Sequence, residues 1–313
     1  MTFSVTILGS SSALPTSKRF PSAHVLNVHE RFYLIDCGEG TQIQLRKYHL
    51  PLNRINHIFL THSHGDHVLG IFGLISTLNL LGRTNDLHIY GIADFEDLLM
   101  QNVKFFTDKP SFKVIYHAVD PFKVEEIYTD KHVVVTTIPL RHRVPAVGYL
   151  FREAPKQPNI RKDIISKYNL SIADIVSIKN GHDLALPNGD IIPNSELTYI
   201  HSQPRSYAYC SDTLYSERLV GLVKGVDLLY HEATFLHSEL ELARKTGHST
   251  ALQAATVALK ANVGKLILGH FSSRYKDIQL FLNEAKSVFQ NSYVANDGDT
   301  IQVSPKIVDS QFD

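Results

Sequence analysis

The segment "THSHGDH", Thr61 to His67, places three histidines and one aspartate within six residues. Imidazole and carboxylate groups together suit Zn²⁺ and similar divalent ions. His62 and His64 are two positions apart, so an extended or turning backbone directs both rings to the same side and lets them share one ion. Asp66 and His67 follow at the start of a predicted helix. The backbone changes direction there and can aim these two side chains at a second, adjacent ion.

Each ion needs further ligands, and the sequence offers isolated candidates where later predicted strands end. They are His142 in "IPLRHRVP", Asp212 in "YCSDT" and His270 in "LILGHFSS". A lone histidine at a strand end is more often a polar core residue, but the compact motif raises these three to candidate ligands. We assign three ligands to each ion and let Asp212 bridge them. The first ion takes His62, His64 and His142, and the second takes Asp66, His67 and His270.

The pattern around the motif indicates an α/β architecture. Short apolar or alternating runs such as "FSVTILG", "RFYLIDC" and "INHIFLTH" predict strands, and "GTQIQLRKYHL" predicts a helix between two of them. The run "VLGIFGLISTLNLLG" is apolar almost all round and ends at Gly82, which is typical of a buried helix with a glycine stop. A second set of strands and helices begins at "HVVVTTIPLRH". Each half feeds strands into helices, as a sandwich of two sheets with helices outside requires.

Residues 153–198 differ from the segments on either side. They contain "APKQPN", "LPNGD" and "IIPNSE", and this proline and Asn-Gly punctuation predicts an inserted arm within a single domain spanning residues 1–313. The whole chain has 31 cationic and 31 acidic residues, so its overall charge does not indicate a nucleic-acid partner. From Arg141 to Asn180, however, eight lysines and arginines face three acids. This local excess predicts a basic arm, although a solvated helix face would explain it equally well if the segment stood alone.

The N-terminal stretch "MTFSVTILGSSSALP" lacks a basic region before its short apolar run. No stretch approaches the ~18 apolar residues of a membrane-spanning helix. We therefore expect a cytoplasmic protein without a membrane partner. The two cysteines, Cys37 and Cys210, are too few for a disulfide scaffold and are expected to be buried thiols in a reducing compartment.

These residues resemble the metallo-β-lactamase superfamily, whose signature is "THSHGDH", and within it the ribonuclease Z family. Narrower matches are "DCGEGTQ" (Asp36 to Gln42), "HEATF" (His231 to Phe235), "GHST" (Gly247 to Thr250), "LGHFSSRY" (Leu268 to Tyr275) and the early substrate loop "ALPTSKR" (Ala13 to Arg19). Many hydrolases share the metal signature. The combination of "DCGEGTQ" with "HEATF" and "GHST" is much narrower, and the resemblance spans nearly the whole chain.

The resemblance implies a four-layer αβ/βα fold with two metal ions between the sheets. It implies endonucleolytic removal of the 3′ trailer from precursor tRNA, which leaves a 3′-hydroxyl on the tRNA and a 5′-phosphate on the trailer. Zn²⁺ is the expected metal, and Mn²⁺ and Fe²⁺ also accept such ligands. A homodimer is implied, in which the arm of one subunit grips tRNA bound at the other, and no DNA partner is expected. The family's Gly-Pro-rich arm tip is missing, and "NLSIADIVSIKNGHDL" stands in its place.

The resemblance also implies catalytic roles. Asp66 could orient the attacking water or take its proton, or act as a metal ligand alone. His248 and Glu232 resemble the family's acid pair, in which the imidazole protonates the leaving 3′-oxygen and the carboxylate keeps it oriented and protonated. The "GHST" segment also fits a helix N-terminus capped by Ser249 or Thr250, and both interpretations can hold together.

Further residues are candidates for supporting roles. Asp36 resembles the family's carboxylate that fixes the orientation of the metal-binding histidines. His231 is either a core residue or a partner of the metal ligands. Lys18, Arg19 and Arg274 could bind substrate phosphates, or could equally be ordinary surface charges.

Two other functions fit part of the sequence. A hydrolase with the same pair of ions could act on a small phosphodiester, lactone or sulfate ester, but such an enzyme has no use for a basic insertion. A metal-stabilised RNA-binding protein without turnover would need neither a position for water nor an acid. The sequence therefore favours the tRNA endonuclease.

Overall fold

The computed structural model describes residues 2–106 and 110–308 of the chain. These residues form two compact units. The main unit contains the described residues up to 152 together with residues 206–303. The second, called the arm unit below, contains residues 153–205 and 304–308.

The first half of the main unit forms one sheet and the helices that cover its outer face. Its strands are β1 (Phe3–Gly9), β2 (Ala23–Val28), β3 (Arg31–Ile35), β4 (Ile55–Phe59), β5 (Leu87–Ile92) and β6 (Val114–Val119). Its helices are α1 (Thr41–Lys47), α2 (Gly65–Val68), α3 (Gly70–Leu80) and α4 (Glu96–Phe106), with 3₁₀ turns at Leu52–Arg54 and Ala93–Phe95. From β3 to β6 the neighbouring strands run parallel. The carboxyl ends of β3 and β4 therefore lie at the same edge of the sheet.

Three strands begin the second sheet and lead into the arm unit. They are β7 (Glu126–Thr129), β8 (Val133–Pro139) and β9 (Val147–Glu153). The elements of the arm unit are β10 (Asn159–Ile160), α5 (Lys162–Lys167), α6 (Ile172–Lys179), β11 (Leu184–Ala185), β12 (Ile191–Ile192), α7 (Asn194–Leu197) and β13 (Thr198–Tyr199). They enclose a small core of their own, formed by Ile160, Ile164, Ile178, Leu184 and Leu197.

The atypical sequence of the arm contains a regular, capped helix. Ser171 and Asp174 form a capping box at the start of α6, so side chains satisfy two backbone donors of its first turn. At the base of the arm unit, Arg205 donates from Nη2 to Oε1 of Glu153 (2.7 Å) and from Nε to Oε2 (3.0 Å). Both side chains are buried, and this paired geometry joins the two ends of the inserted segment.

The charge of the arm unit differs from the sequence prediction. Residues 153–205 contain six lysines and arginines and six acids, so this segment is neutral. Arg141, Arg143 and Arg152, which contributed to the predicted excess, belong to the main unit. The positive balance is confined to residues 154–180, where five cations face two acids, and three of the acids follow residue 180.

The second half of the main unit completes both sheets. Its strands are β14 (Ser206–Cys210), β15 (Leu228–Glu232), β16 (Lys265–Gly269), β17 (Ser292–Val294) and β18 (Thr300–Gln302). Its helices are α8 (Glu217–Leu222), α9 (Leu240–Thr246), α10 (Ala251–Lys260) and α11 (Gln279–Lys286), with a 3₁₀ turn at His237–Glu239. Strands β14 to β17 run parallel, and β18 returns to pair with β1 in the first sheet.

The two sheets of the main unit pack face to face. One shared apolar core joins their inner faces and contains side chains from both sheets, such as Phe59, Tyr149 and Tyr207. The outer face of the first sheet is covered by α1, α3 and α4, and that of the second by α8, α10 and α11. The resulting order of layers is helix, sheet, sheet, helix, which confirms the predicted αβ/βα fold. Among the described helices, none combines the length and hydropathy needed to cross a bilayer.

Candidate metal centre

The seven predicted ligands lie together where strands of both sheets end. One ligand atom from each member of the first group, His62, His64, His142 and Asp212, lies within 4.8 Å of the others. Asp66, His67 and His270 form a second such group. Asp212 forms a third group with His248 and His270, so it touches both sides of the cluster. The structure thus brings the residues together in the grouping that we assigned from sequence.

The backbone around the cluster is tightly constrained. A Cβ atom on Gly70 would lie 1.9 Å from the carbonyl oxygen of Gly38, so the loop after β3 can approach the start of α3 this closely only because Gly70 lacks a side chain. Asp36 and His270, which follow β3 and β16, adopt positive φ angles of 56° and 60°. Such angles are uncommon for residues with side chains and concentrate at functional sites.

Hydrogen bonds place a proton on Nδ1 of two imidazoles in the cluster. Nδ1 of His67 donates to Oδ2 of Asp36 (2.8 Å), and Nδ1 of His142 donates to the carbonyl oxygen of Gly247 (2.8 Å). Because both acceptors are oxygens that can only accept, each Nδ1 carries the hydrogen, and the neutral form of each ring then has its lone pair on Nε2. Both Nε2 atoms are buried and have no hydrogen-bond partner among the described residues. A metal ion is the partner that fits such nitrogens.

A threonine hydroxyl extends this arrangement to His62. Oγ1 of Thr61 donates to Oδ1 of Asp36 (3.0 Å), and it can therefore accept from Nδ1 of His62 (3.0 Å). Nε2 of His62 then keeps its lone pair and lies 3.0 Å from Nδ1 of His64. Burial and the neighbouring His62 lower the pKa of His64, which favours the neutral ring that a metal ligand must have.

On the other side of the cluster, a second threonine hydroxyl lies between a carboxylate and an imidazole in the same way. Oγ1 of Thr234 donates to Oε2 of Glu232 (2.7 Å) and can accept from Nδ1 of His270 (2.9 Å). Nε2 of His270 is left facing Oδ1 of Asp212 (3.2 Å) and Oδ2 of Asp66 (3.3 Å). Two threonines thus orient imidazoles that come from different sheets.

The electrostatics of the cluster favour a cation. Burial opposes ionisation of Asp212 and Asp66, but the imidazoles of His270 and His67 outweigh it and hold the pKa of both carboxyls below the usual range. Among the described residues, the carboxylates of Asp66 and Asp212 form their ion pairs with histidines. Burial lowers the pKa of His142 to about 4. For His67 burial acts in the same direction, yet the surrounding carboxylates raise its pKa, so a bound cation would replace a proton there. The donor set therefore fits one or more divalent ions.

The early loop touches the cluster directly. The backbone N–H of Ala13 donates to Oδ2 of Asp66 (2.8 Å). The same oxygen faces Nε2 of His67 at 3.5 Å and Nε2 of His270 at 3.3 Å. All three of these contacts of Asp66 are made by Oδ2 rather than by Oδ1.

His248 and Glu232 form a pair at the rim of the cluster. Nδ1 of His248 donates to Oε1 of Glu232 (2.8 Å) and lies 3.9 Å from Oδ2 of Asp212. Burial opposes the charged imidazole, but the Glu232 carboxylate outweighs it and raises the pKa of His248 to about 9. Two residues further on, Thr250 caps α10 through a capping box with Gln253. The "GHST" segment therefore both begins a helix and presents a protonated imidazole.

The remaining predicted residues make contacts of their own. His231 is fully buried, and its Nδ1 donates to the backbone oxygen of Glu232 (2.7 Å), as expected of a core residue. Arg19 donates from Nη1 to Oγ of Ser10 (2.6 Å) and to the carbonyl oxygen of Ala295 (2.8 Å), so its guanidinium anchors the early loop. Lys18 and Arg274 are exposed, and Arg274 lies 3.9 Å from the Glu239 carboxylate.

Sequence reasoning identified Asp36 but missed the other groups that orient the histidines of the cluster. Thr61 and Thr234 lie inside quoted motifs, directly before His62 and two residues after Glu232, so their hydroxyls could have been proposed. Tyr209 donates to Oδ2 of Asp36 (2.9 Å) from 173 residues away, and no local pattern indicates that contact.

Comparison with known proteins places the chain in a family. The family model for Anti-Pycsar protein Apyc1 matches residues 3–143, which is less than half of the chain. Over 302 residues the chain is 47% identical to a ribonuclease Z of Phocaeicola vulgatus, covering 96% of this chain and 97% of that protein. It is 45% identical to a ribonuclease Z of Porphyromonas gingivalis, covering 94% of this chain and 97% of that protein. The crystal structure of human tRNase Z, short form, superposes with a TM-score of 0.70 at 26% identity, covering 96% of this chain and 99% of that one. The chain therefore belongs to the ribonuclease Z family.

Proposed function

We propose that this protein is a metal-dependent endoribonuclease that removes the 3′ trailer from precursor tRNA in the cytoplasm. The products are a tRNA with a 3′-hydroxyl and a trailer with a 5′-phosphate. The observation that carries this proposal is the 47% identity to a ribonuclease Z over 96% of the chain. The orientation of the metal-facing nitrogens and the protonated imidazole beside them supply the chemistry that such hydrolysis needs.

Two ions are proposed, one in each of the first two ligand groups, with Asp212 shared between them. The imidazole-rich donor set favours Zn²⁺, and Mn²⁺ and Fe²⁺ are the alternatives. Divalent ions held there supply Lewis acidity for phosphodiester hydrolysis. The remaining steps fall to side chains of the protein.

Asp66 is proposed as the residue that receives the proton of the attacking water. Its Oδ2 is occupied by the Ala13 N–H and faces two imidazoles, so Oδ1 is the oxygen that can take the proton. The imidazoles of His67 and His270 lower the pKa of Asp66, so its carboxylate is ionised. Such positioned proton transfer contributes roughly 10² to 10⁴ in rate.

His248 is proposed as the acid that protonates the leaving 3′-oxygen. Its Nδ1–H is held by Glu232, so the proton on Nε2 is the one that can be transferred. With its pKa raised to about 9, the imidazole is protonated at neutral pH. Glu232 touches no reacting atom in this scheme and acts through the imidazole that it orients.

Contacts with the body of the tRNA are proposed for the arm unit, in a homodimer whose subunits share the substrate. The positive stretch within residues 154–180 supports this role, because lysines and arginines neutralise backbone phosphates without reading sequence. The neutral charge of residues 153–205 restricts the proposed contact surface to that stretch.

The proposal is tested by incubating the purified protein with a precursor tRNA carrying a 3′ trailer and, separately, with a bare chromogenic phosphodiester. Each reaction is run with and without a chelator, and the RNA ends are mapped. We expect metal-dependent cleavage directly after the discriminator nucleotide. Hydrolysis of the small ester with intact tRNA would instead identify a small-molecule hydrolase, and binding of tRNA without any turnover would identify an RNA-binding protein.

A further inference from the structure

A cavity with a volume of about 630 Å³ lies in the main unit beside the early loop, outside the candidate metal centre. Its walls are formed by the loop around Lys18, by the end of α1 and by the segment that follows His270. Four cationic side chains line it, namely Lys18, Arg19, Lys47 and Lys276, and among the described lining residues Asp297 is the one carboxylate. The cavity is therefore strongly positive in a chain whose overall charge is zero.

The positive charges of the lysines in this cavity are not neutralised by ion pairs with the residues that the structure describes. Asp297 accepts from Oγ of Ser10 (2.8 Å) and from the backbone N–H of Phe20 (2.7 Å), so its oxygens hold the loop in place. Lys18, Lys47 and Lys276 form no ion pair with any residue that the structure describes. A bound polyanion would neutralise them at little cost.

The early loop lines both this cavity and the mouth of the metal centre. A cavity of about 370 Å³ is lined by Ala13, His64 and Asp66 and forms the mouth of the centre. Lys18 and Arg19 of the same loop line the basic cavity. The loop is tied down, because Ser12 N donates to Phe271 O (3.0 Å) next to His270. Because residues of one loop line both cavities, a strand of RNA whose reactive phosphate lies at the centre can follow this loop to the basic cavity.

The geometry points to the 3′ trailer as the occupant, and we propose that this cavity is a trailer-binding site. The inference rests on the proposed function. In a precursor tRNA, the chain before the scissile phosphate soon enters the acceptor duplex, which is too wide for the cavity, whereas the trailer is a single strand. Lysines that contact phosphates, together with the rings of Tyr48 and Tyr275 in the wall, bind single-stranded RNA without a sequence requirement. Such a site suits trailers that differ in sequence from one tRNA to the next.

The test compares two precursors that share one tRNA body and carry either a one-nucleotide trailer or a trailer of about eight nucleotides, within the span of known single-strand sites. The proteins are the wild type, the double variant Lys47→Ala/Lys276→Ala, its charge-keeping counterpart Lys47→Arg/Lys276→Arg, and the surface control Lys224→Ala. The measured quantity is the ratio of kcat/KM for the long trailer to that for the short one, at several salt concentrations. Thermal midpoint and metal content are recorded for every variant.

For the wild type we expect a ratio well above one that falls as salt rises. The double alanine variant should lower the ratio on the order of tenfold and reduce the salt slope by about 0.7 for each lysine lost. The arginine variant should restore the ratio, and Lys224→Ala should leave it unchanged.

An unchanged ratio and salt slope in the double alanine variant would overturn the trailer site. So would a wild type that cleaves both precursors equally well, and in that case the proposed function would stand. If the wild type cleaves neither precursor, the proposed function and this inference both fall.

Discussion

Oε1 of Glu232 and Nδ1 of His248 lie 2.8 Å apart at the rim of the metal centre. Glu232 is the last residue of β15, and His248 lies between α9 and α10, so two separate elements hold the pair in place. Oε1 also accepts from the backbone N–H of Thr213 (3.0 Å), which fixes the carboxylate. This relationship gives the imidazole one orientation with a proton on Nδ1, and the negative charge of Glu232 raises the pKa of His248, which favours a second proton on Nε2.

Replacing His248 by alanine should slow trailer removal by roughly 10² to 10⁴, because the leaving oxygen loses its proton donor. Metal content should stay at the wild-type value, since the seven proposed ligands remain. Single-turnover cleavage and elemental analysis of the same preparation measure the two quantities.

His132→Ala, which removes an imidazole lying outside the cluster, serves as the matched control. A precursor with sulfur in place of the leaving 3′-oxygen should rescue the alanine variant, because a thiolate leaves without a proton. Full activity on the ordinary substrate would contradict the role given to His248.

Glu232→Gln should also slow cleavage, because the amide holds the ring of His248 without supplying the negative charge that keeps it protonated. If the carboxylate acts through this imidazole, the double variant Glu232→Gln/His248→Ala should be about as slow as His248→Ala alone. Single-turnover rates are measured for the wild type, the two single variants and the double variant, which together form a double-mutant cycle. Multiplicative losses would mean that Glu232 acts by another route, for example through Thr234 and His270.

Asp36→Asn should weaken metal binding by roughly 10- to 100-fold, the range found when groups that orient metal ligands are removed. The buried carboxylate accepts hydrogen bonds from Thr61, His67 and Tyr209, and an amide cannot accept all of them. Competition with a coloured chelator measures the affinity. Asp120→Asn, at a partly exposed carboxylate that pairs with Lys123, is the control. Equal affinities for the Asp36 variant and the wild type would remove it from the supporting network.

Charge reversal on α5 of the arm unit, by Lys162→Glu together with Lys167→Glu, should raise KM for precursor tRNA and leave hydrolysis of a bare phosphodiester unaffected. The reason is that phosphate contacts supply affinity without taking part in chemistry. Lys224→Glu with Lys245→Glu, in the main unit, matches the change in net charge. Equal effects of the two pairs on KM would show that overall charge, rather than the arm, governs binding.

The sequence predicted which seven side chains lie together in the cluster, because these residues follow strands. His142, Asp212 and His270 are isolated in the chain, yet each comes shortly after a strand, and the parallel strands β14 and β16 bring Asp212 and His270 to one edge. The contacts of Tyr209 with Asp36 and of Ala13 with Asp66 depend on how the sheets and the early loop pack. No local pattern carries that information, so these contacts were accessible only from the structure.

Surface charge was harder to predict than the cluster. The sequence window that suggested a basic arm mixed residues of two compact units, and residues 153–205 are neutral. Arg19 was proposed as a phosphate ligand, but its guanidinium is committed to Ser10 and the carbonyl oxygen of Ala295. Lys47 and Lys276 attracted no attention because they are far apart in sequence and meet only in the folded basic cavity.

If this chain removes tRNA trailers with metal ions held by the cluster, its activity must follow its metal content. We would titrate metal-depleted protein with Zn²⁺ and follow cleavage of a precursor tRNA and the amount of bound metal on the same samples. We expect no cleavage without metal and a rise to a plateau as two ions bind per chain. Cleavage at full rate by the metal-depleted protein, or metal-loaded protein that leaves the precursor intact, would contradict this expectation.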